Sequence, residues 1–492
     1  MKWSTRLTPN LTAISFGVLL AVMSTNLRGV TLDDFGYQKM KVNGQLALGA
    51  RPTLVILLDL ANTGTFAHPT SYYDDLVFNF FNTTPAGVRS VNGFFMENSH
   101  GRFFLNRAGA GIIGPLQLNA TDRAMATTND VARGGIAINA AVAAGFNFAP
   151  YDANEDGTIT APEVMVMIFD NLTPNDSGAA RWANPTGPTN SLPFVPPGSS
   201  KAISMSVGLL TQRVSFGTLC HEVSHIIGTK DLYGVWSVTC HGNQYNLMSC
   251  TITNADDMAT FGLDAWHKLQ LGWVEPRIRN VGAGGIESIT AAQLLSATDA
   301  PIILYDPAHG TGEFFLIEYR TRTSPWGSGY DANIPTSGLG IWHVVHKPDF
   351  TIYEWAGLGQ SVWLQGQPSL QRGQDANQLW TSGTTTPPLF WMPDGTNSMS
   401  LATYIRVRPF TSGAGSITVE WVTGSDTWVH FSYVGSENGT FANPFNTFAE
   451  GVAAASYGGF IKLKPGSSAE TVNNLSKALV LEAVGGAVTI GQ

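Results

Sequence analysis

Apolar residues in the first half of the chain follow two periods, one typical of strands and one typical of helices. The pattern predicts strands at residues 54–60, 164–169 and 202–207, and helices at residues 71–81, 90–99, 130–145, from near 216, and 260–271. Residues 171–200 are rich in Pro, Asn, Gly and Ser and lack periodicity, which predicts a long surface loop. Strands that alternate with helices indicate an α/β domain, which we place at residues 29–280.

From residue 281 onward, short strands separated by turn residues replace this pattern. Strand-like runs occur at residues 314–319, 340–344 and 417–421. We therefore predict an all-β domain at residues 281–425, packed on the α/β domain. His343 and His346 fall in or beside one of its strands, and we interpret both as structural residues rather than metal ligands.

The last segment, residues 426–492, shows a third pattern. Brief strands are predicted at residues 460–463, 479–483 and 487–490, after a short helix-like segment. They resemble the opening coils of a right-handed parallel β-helix. Two such coils bury little apolar surface and leave strand edges open, so we expect this segment to dock on another surface or to need a partner. A contact with a cell surface or a carbohydrate is one such role.

Composition narrows the functional classes. A chain of 492 residues is too long for one ordinary core, so two or three domains are expected. Hydrophobic residues make up 43% and charged residues 13% of the chain, which describes a well-packed protein with a lightly charged surface. The net charge of −9 gives no electrostatic reason to expect a nucleic acid or an anionic membrane as a partner.

Residues 1–28 have features of a leader. Lys2 and Arg6 precede an apolar run at residues 13–23, whose length suits a signal peptide and is too short to span a bilayer. No clean small-x-small cleavage site follows, so a misassigned start or an ordinary buried segment stays an alternative. No other run is long and apolar enough for a transmembrane helix. The signal-peptide interpretation predicts a secreted protein.

The motif H-E-x-x-H-x-x-G-x-x-D carries the clearest chemical signal in the chain. His221 and His225 lie one turn apart on a helix, so both imidazoles can bind one metal ion. Glu222 stands beside them as a candidate general base. Gly228 lets the chain turn back, so that Asp231 can supply a third ligand. Three protein ligands with an open fourth position are typical of catalytic zinc, because structural zinc sites close all four positions.

A methionine follows this motif at the place of a methionine turn. Met248 lies in the run N-L-M-S, downstream of Asp231. In metzincin-type peptidases such a turn forms an apolar floor beneath the zinc-binding histidines. The order of the two histidines, the third ligand and the methionine favours this role for Met248 over ordinary core packing.

Three segments around the motif form one block of similarity to a known family. They are T-L-C-H-E-V-S-H-I-I-G-T-K-D-L-Y at residues 218–233, N-L-M-S at 246–249 and A-W-H-K-L-Q-L-G-W at 265–273, with further similar segments at 52–59, 90–104, 313–319 and 337–343. On these residues, the chain between positions 30 and 425 resembles the immune-inhibitor-A family of secreted bacterial metallopeptidases. One departure is visible, because family members often carry an acidic residue where this chain has Val345.

The resemblance implies a zinc endopeptidase of the metzincin type. Zn²⁺ held by the two histidines and Asp231 would activate water, and Glu222 would move its proton to the leaving amine. A protein or peptide substrate follows from the resemblance alone, since zinc chemistry also suits an amidase or a deacetylase. The rival interpretations are a carbohydrate-targeting protein and a secreted binding or adhesion protein on a peptidase scaffold, which would not need Glu222.

A second metal site is predicted from a twelve-residue loop at residues 152–163. The loop places oxygen-bearing side chains at positions 1, 3, 5 and 9, glycine at 6 and glutamate at 12, with a backbone carbonyl at 7. The predicted Ca²⁺ ligands are Asp152, Asn154, Asp156, Thr158, Thr160 and Glu163. Pro162 and the strand-like run after it differ from a paired calcium sensor, so we predict a structural ion.

The three cysteines all fall around the zinc motif, at Cys220, Cys240 and Cys250. Cys220 adjoins His221 and points away from the face that carries the ligands. We expect one disulfide that anchors the loop before the methionine turn, with one thiol left over and the pairing open. Such a disulfide would agree with export.

Overall fold

The computed structural model describes residues 29–491 with internal gaps. The gaps are 81–88, 173–179, 184–192, 233–244, 250–259, 282–283, 294–297, 299, 323–329, 356–358, 361, 365–378, 385, 387–388, 392–400, 403–405, 413–414, 423–425, 456–458, 472–474 and 476–478. The predicted leader at residues 1–28 lies outside the described residues, as do Cys240 and Cys250. No helix in the described part of the chain combines the length and the apolar character that crossing a membrane requires.

The first unit of the chain contains six helices among its described residues. Helices α1 to α6 lie at Thr70–Phe78, Val91–Asn98, Ala120–Thr128, Asp130–Ala143, Phe216–Ile226 and Ala265–Leu271. Strands β1 to β8 lie at Gly49–Asp59, Phe103–Gln117, Thr158–Thr160, Met165–Asp170, Ala180–Ala183, Ala202–Ser204, Val207–Thr211 and Arg277–Asn280.

The main sheet of this unit has the strand order β2-β1-β4-β7-β5. The first four strands run parallel, and β5 pairs antiparallel with β7 at the edge. Every residue of β4 is buried. Parallel strands are covered on both faces, which explains why β1 and β4 show unbroken apolar runs in the sequence.

The structure confirms most of the elements predicted for this unit and splits one of them. The run predicted as one strand at residues 202–207 is two, because β6 pairs with β3 beside the predicted calcium loop and β7 joins the main sheet. Strand β2 and helix α3 were not predicted, and strand β5 lies within residues 171–200, which were predicted to be a loop. Strand β2 contains several glycines and Pro115, so its sequence looks like a turn rather than a strand.

The second unit is built from strands. Strands β9 to β19 lie at Gly285–Thr290, Ile302–Tyr305, Glu313–Arg320, Gly338–Val345, Glu354–Trp355, Gly359–Gln360, Val362–Leu364, Phe390–Trp391, Leu401–Ala402, Arg406–Ser412 and Ser416–Val422. Its larger sheets have the orders β15-β12-β11-β10-β8 and β18-β19-β9. Strand β8, at the end of the first unit, joins the first of these sheets by pairing with β10.

The central strands of this unit are buried on both faces. Alternate residues of β11 belong to two different cores: Phe314 and Leu316 pack with Trp266 and Leu269 of α6, whereas Phe315 packs with residues of β18 and β19. All eight residues of β11 and of β12 are buried. Helix α6 is therefore one of the elements through which the β-rich unit packs against the first unit.

The C-terminal segment has a small core of its own. Helix α7 lies at Phe448–Ala454, and strands β20 to β24 lie at Thr427–Val429, Phe460–Leu463, Gly466–Ser468, Val480–Ala483 and Val488–Ile490. All of their strand pairings are parallel, in the orders β20-β21-β23 and β22-β24. The protein is thus mixed α/β with several sheets, whereas the metzincin class of the first unit and the β-helix class of this segment stay predictions.

Candidate metal centre

Helix α5 presents the two motif histidines on one side. The helix begins after Ser215, whose hydroxyl caps it by accepting a hydrogen bond from the amide of Thr218 at 3.2 Å. Leu219, Val223 and Ile226 are buried in the main core. The opposite, half-buried side carries the rings of His221 and His225, whose centroids lie 4.9 Å apart.

A glycine ends α5 and redirects the chain toward these histidines. Gly228 has φ +103°, in the left-handed region that favours glycine. A Cβ atom there would meet side-chain carbons of Met40 and Val42 at 3.2 Å. The turn that this glycine permits returns Asp231 to the histidine face of the helix.

The three predicted zinc ligands converge on one point. The Nε2 atoms of His221 and His225 lie 3.3 Å apart, and Oδ1 of Asp231 lies 3.2 and 3.3 Å from them. Within the described part of the chain, these residues form the one group of three or more His, Cys, Asp and Glu side chains whose ligand atoms are close enough to hold a metal ion. The sequence prediction that these three side chains come together in a group that could hold a metal ion is confirmed, whereas the identity of the metal stays a prediction.

Hydrogen bonds behind the rings orient the Nε2 atoms of both histidines toward the point where the three side chains converge. His221 Nδ1 lies 2.9 Å from the carbonyl oxygen of Leu247, and His225 Nδ1 lies 3.0 Å from that of Thr229. A carbonyl can only accept, so each Nδ1 donates its hydrogen and each neutral ring keeps a lone pair on Nε2. Oδ1 of Asp231 is buried and accepts no hydrogen bond. This donor set fits a divalent metal ion.

Electrostatics at the centre reflects the proximity of the carboxylate and the imidazoles. Burial alone would raise the pKa of Asp231, but its two histidine neighbours outweigh burial and hold that pKa well below its usual range. Burial alone would lower the pKa of His221, and the Asp231 carboxylate and the Leu247 carbonyl together raise it. The carboxylate therefore stays charged, as a metal ligand must.

Glu222 lies on the same helix as the motif histidines, and Met248 contacts the segment of Asp231, whereas the roles predicted for both stay predictions. Glu222 is half-buried on α5 next to His221, and its charge contributes to the raised pKa of that histidine. Met248 is fully buried, and its sulfur lies 3.6 Å from the hydroxyl oxygen of Thr229, the residue whose carbonyl faces His225. The backbone carbonyl of Met248 accepts a hydrogen bond from Leu232 at 2.8 Å. The methionine segment thus contacts the chain on both sides of Asp231.

Sequence reasoning did not identify the residues that support the ligands. The backbone amide of Lys230 donates to Nε2 of His267 at 3.1 Å, and Nδ1 of His267 lies 2.6 Å from the carboxylate of Asp264. Both His267 and Asp264 are fully buried. The block A-W-H-K contains this histidine, but nothing local in the sequence indicates that it reaches the segment of Asp231.

The predicted calcium loop is ordered by its own acidic side chains. The carboxylate of Asp152 accepts from the amide of Gly157 at 3.0 Å, and that of Asp156 accepts from Thr158 at 2.8 Å. Glu163 accepts from Ala153 at 3.0 Å and so closes the loop end to end. Gly157 has φ +84°, as the sharp turn at position 6 requires.

The side chain of Lys201, a residue outside the loop, forms a salt bridge with one of the loop's carboxylates. The ammonium of Lys201 lies 2.7 Å from Oδ2 of Asp152 and lowers the pKa of that carboxyl. Oδ1 of Asp152 is buried without a hydrogen-bond partner. Within the residues that the structure describes, the acidic oxygens of the loop do not converge on one point as the side chains of His221, His225 and Asp231 do. Calcium binding by Asp152, Asn154, Asp156, Thr158, Thr160 and Glu163 stays a prediction.

The remaining candidate residues are one cysteine, which is a free thiol, and two histidines, which have hydrogen-bond partners. Cys220 is a buried free thiol whose pKa is raised by burial, so the predicted disulfide does not involve it. His343 Nε2 lies 2.6 Å from Oε1 of Glu313, and His346 Nε2 accepts a hydrogen bond from the indole of Trp266 at 3.0 Å. Both histidines therefore take part in contacts within the β-rich unit and with α6.

No protein-family model matches this chain, and no curated protein matches it. The functional inference therefore depends on the site itself and on the sequence resemblance described above.

Proposed function

We propose that the protein is a zinc-dependent endopeptidase. The observation that carries the proposal is the convergence of His221, His225 and Asp231 on one point, with the half-buried Glu222 on the same helix. A zinc ion bound there would supply a Lewis acid and lower the pKa of a bound water to about 7. The peptide substrate rests on the resemblance of the motif segments to immune-inhibitor-A peptidases.

The chain's own residues have distinct parts in this proposal. His221, His225 and Asp231 would hold the metal. The hydrogen-bonded Nδ1 atoms of the two histidines fix their rings, and the turn at Gly228 places Asp231. Glu222 accepts the proton of the attacking water at its carboxylate and delivers it to the nitrogen of the leaving amine. A binding protein on the same scaffold would need the ligands but would not need Glu222.

The test substitutes the base while keeping the metal ligands. Glu222→Gln should bind zinc as the parent protein does and should lower kcat for casein or peptide hydrolysis by about 10² to 10⁴, the usual contribution of a general base. Glu275→Gln is the matched control, because Glu275 is an exposed glutamate in a salt bridge with Arg102. Asp231→Ala should lose zinc and activity together.

The outcomes separate the enzyme from its rivals. Full activity in zinc-loaded Glu222→Gln would remove Glu222 from the mechanism. A parent protein that binds zinc and hydrolyses no peptide, with or without a chelator, would favour the binding protein. Release of acetate from acetylated peptides without cleavage of the chain would favour the deacetylase.

A further inference from the structure

We propose that His267 and Asp264 form a positioning pair that sets the place of the third metal ligand, Asp231, through the backbone of Lys230. The inference deepens the proposed function and rests on its metal centre. Neither residue touches the converging atoms of the site. Both act through the amide that directly precedes the ligand residue.

Asp231 needs such support because it follows the end of α5 and is not part of a helix. Two backbone hydrogen bonds flank it. The amide of Lys230 donates to His267 Nε2 at 3.1 Å, and the amide of Leu232 donates to the Met248 carbonyl at 2.8 Å. A ligand with an anchored amide on each side has few ways to move its Cα atom relative to the two histidines.

Histidine suits the anchor because its two nitrogens have opposite roles. Nδ1 faces the Asp264 carboxylate at 2.6 Å and donates to it, which leaves Nε2 as an acceptor for Lys230. The other oxygen of Asp264 accepts from the backbone amide of His267 at 3.0 Å and caps α6. The carboxylate thus fixes both the tautomer and the orientation of the ring.

The position of Lys230 also indicates that its backbone is the functional part. Its side chain is exposed, whereas its amide faces the fully buried ring of His267. Helix α6 packs against strands β11 and β12, so its position is set by the β-rich unit. The pair therefore connects the third ligand to a rigid core outside the catalytic motif.

The test measures metal binding in the full-length protein. His267→Met removes the acceptor and should weaken zinc binding, measured by competition with a chromophoric chelator, about 10-fold to 100-fold, the usual effect of losing a ligand's supporting partner. It should also change the visible absorption of the Co²⁺-substituted protein. His267→Gln can offer an amide oxygen to Lys230 and should restore most of the affinity. His346→Met is the matched control, because His346 is a buried histidine that contacts α6 through Trp266.

A second pair of variants changes the donor of the same hydrogen bond, Lys230, and serves if His267→Met does not fold. Lys230→Pro deletes the N–H donor and should reproduce the loss of zinc affinity, whereas Lys230→Ala keeps the donor and should bind as the parent does. Parent-like zinc affinity and Co²⁺ absorption in His267→Met or Lys230→Pro would overturn the positioning role. An equal loss in His346→Met would overturn it as well. A parent protein that binds neither metal would instead overturn the proposed function, on which the inference rests.

Discussion

At the scale of single residues, several histidines each have a ring nitrogen in a hydrogen bond with one well-defined partner. The ligand rings donate through Nδ1 to carbonyl oxygens, and His267 donates through Nδ1 to Asp264. His346 differs, because its Nε2 accepts from the indole of Trp266. Protonating His346 would replace that acceptor with a second donor and would place a charge in a buried site.

This difference predicts that the burial of neutral His346 makes the free energy of unfolding fall in acid. Burial lowers its pKa to about 3, against about 6.5 for an unfolded histidine. Between these values the unfolded state binds a proton that the native state does not. The free energy of unfolding should therefore fall as the pH falls below about 6.5, by about 1.4 kcal/mol per pH unit, and this contribution should be absent above that pH.

The measurement compares urea unfolding of the parent and of His346→Gln between pH 7.5 and pH 4. Other groups that titrate in this range are common to both proteins, so their effects cancel in the difference. The stability advantage of the parent should shrink steadily with acidification. If the difference in free energy of unfolding between the two proteins stays constant with pH, burial does not lower the pKa of His346.

The candidate metal ligands could be predicted from the sequence because their geometry is local. Two histidines one helical turn apart and a glycine before the aspartate place all three ligands within one short segment. The groups that orient them could not be predicted. Leu247 and His267 reach the ligand segment from distant parts of the chain, and the pairing depends on where α6 packs.

At the scale of elements, the predicted calcium loop contributes to strand pairing in the first unit. Strand β3 lies within the loop and pairs in parallel with β6, which follows Lys201 directly. The ammonium of Lys201 and a calcium ion would compete for the same carboxylate of Asp152. Loop stability and ion binding are therefore coupled.

Calcium should raise the melting temperature if the loop binds it. A ligand that binds only the native state stabilises it by about 2.7 kcal/mol at a hundredfold excess over Kd. Asp156→Ala and Glu163→Ala should abolish the shift, and Lys201→Met should produce it at lower free calcium. Melting curves at constant zinc and varied calcium test this. If calcium does not change the melting temperature of the parent protein, the loop is an ordinary turn. If the shift survives both alanine substitutions, the ion binds elsewhere.

Elements with strong periodicity could be predicted, and elements whose sequence conflicts with their structure could not. Helices α4 and α5 have a clear apolar face and cap residues at their starts, Asn129 and Ser215. Strand β2 lies at the edge of its sheet, and its alternation is interrupted by glycines and by Pro115. Its pairing with β1, rather than its own pattern, makes it a strand.

At the scale of the whole molecule, a buried ion pair joins the β-rich unit to the methionine segment. Arg320 is 1% exposed, lies in β11 and donates to Asp331 from Nε at 2.6 Å and to the carbonyl of Tyr245 at 2.7 Å. Asp331 accepts from the amide of Gly262 at 2.6 Å. Tyr245 and Gly262 flank the segment of Met248 in sequence, so one ion pair holds both of its sides. Pairings of this kind depend on the tertiary fold and leave no periodic signal in the sequence.

Breaking this pair should be among the most destabilising single changes in the protein. Burial alone would raise the pKa of Asp331, but Arg320 outweighs burial and keeps the carboxylate charged. Arg320→Met would leave that charge unpaired in the interior, at a cost of about 3–5 kcal/mol in the free energy of unfolding. Denaturant unfolding at pH 7 measures the loss.

The control for this prediction is an ion pair on the surface. Arg107 and Asp74 form a salt bridge with side chains 45% and 32% exposed, so Arg107→Met should cost no more than about 1 kcal/mol. If the buried pair holds the methionine segment as described, Arg320→Met should also weaken zinc binding, since Leu247 in that segment orients His221. Loss of stability with unchanged zinc affinity would show that the ion pair supports the β-rich core and not the metal centre. Equal stability losses in both variants would show that the buried carboxylate finds another partner.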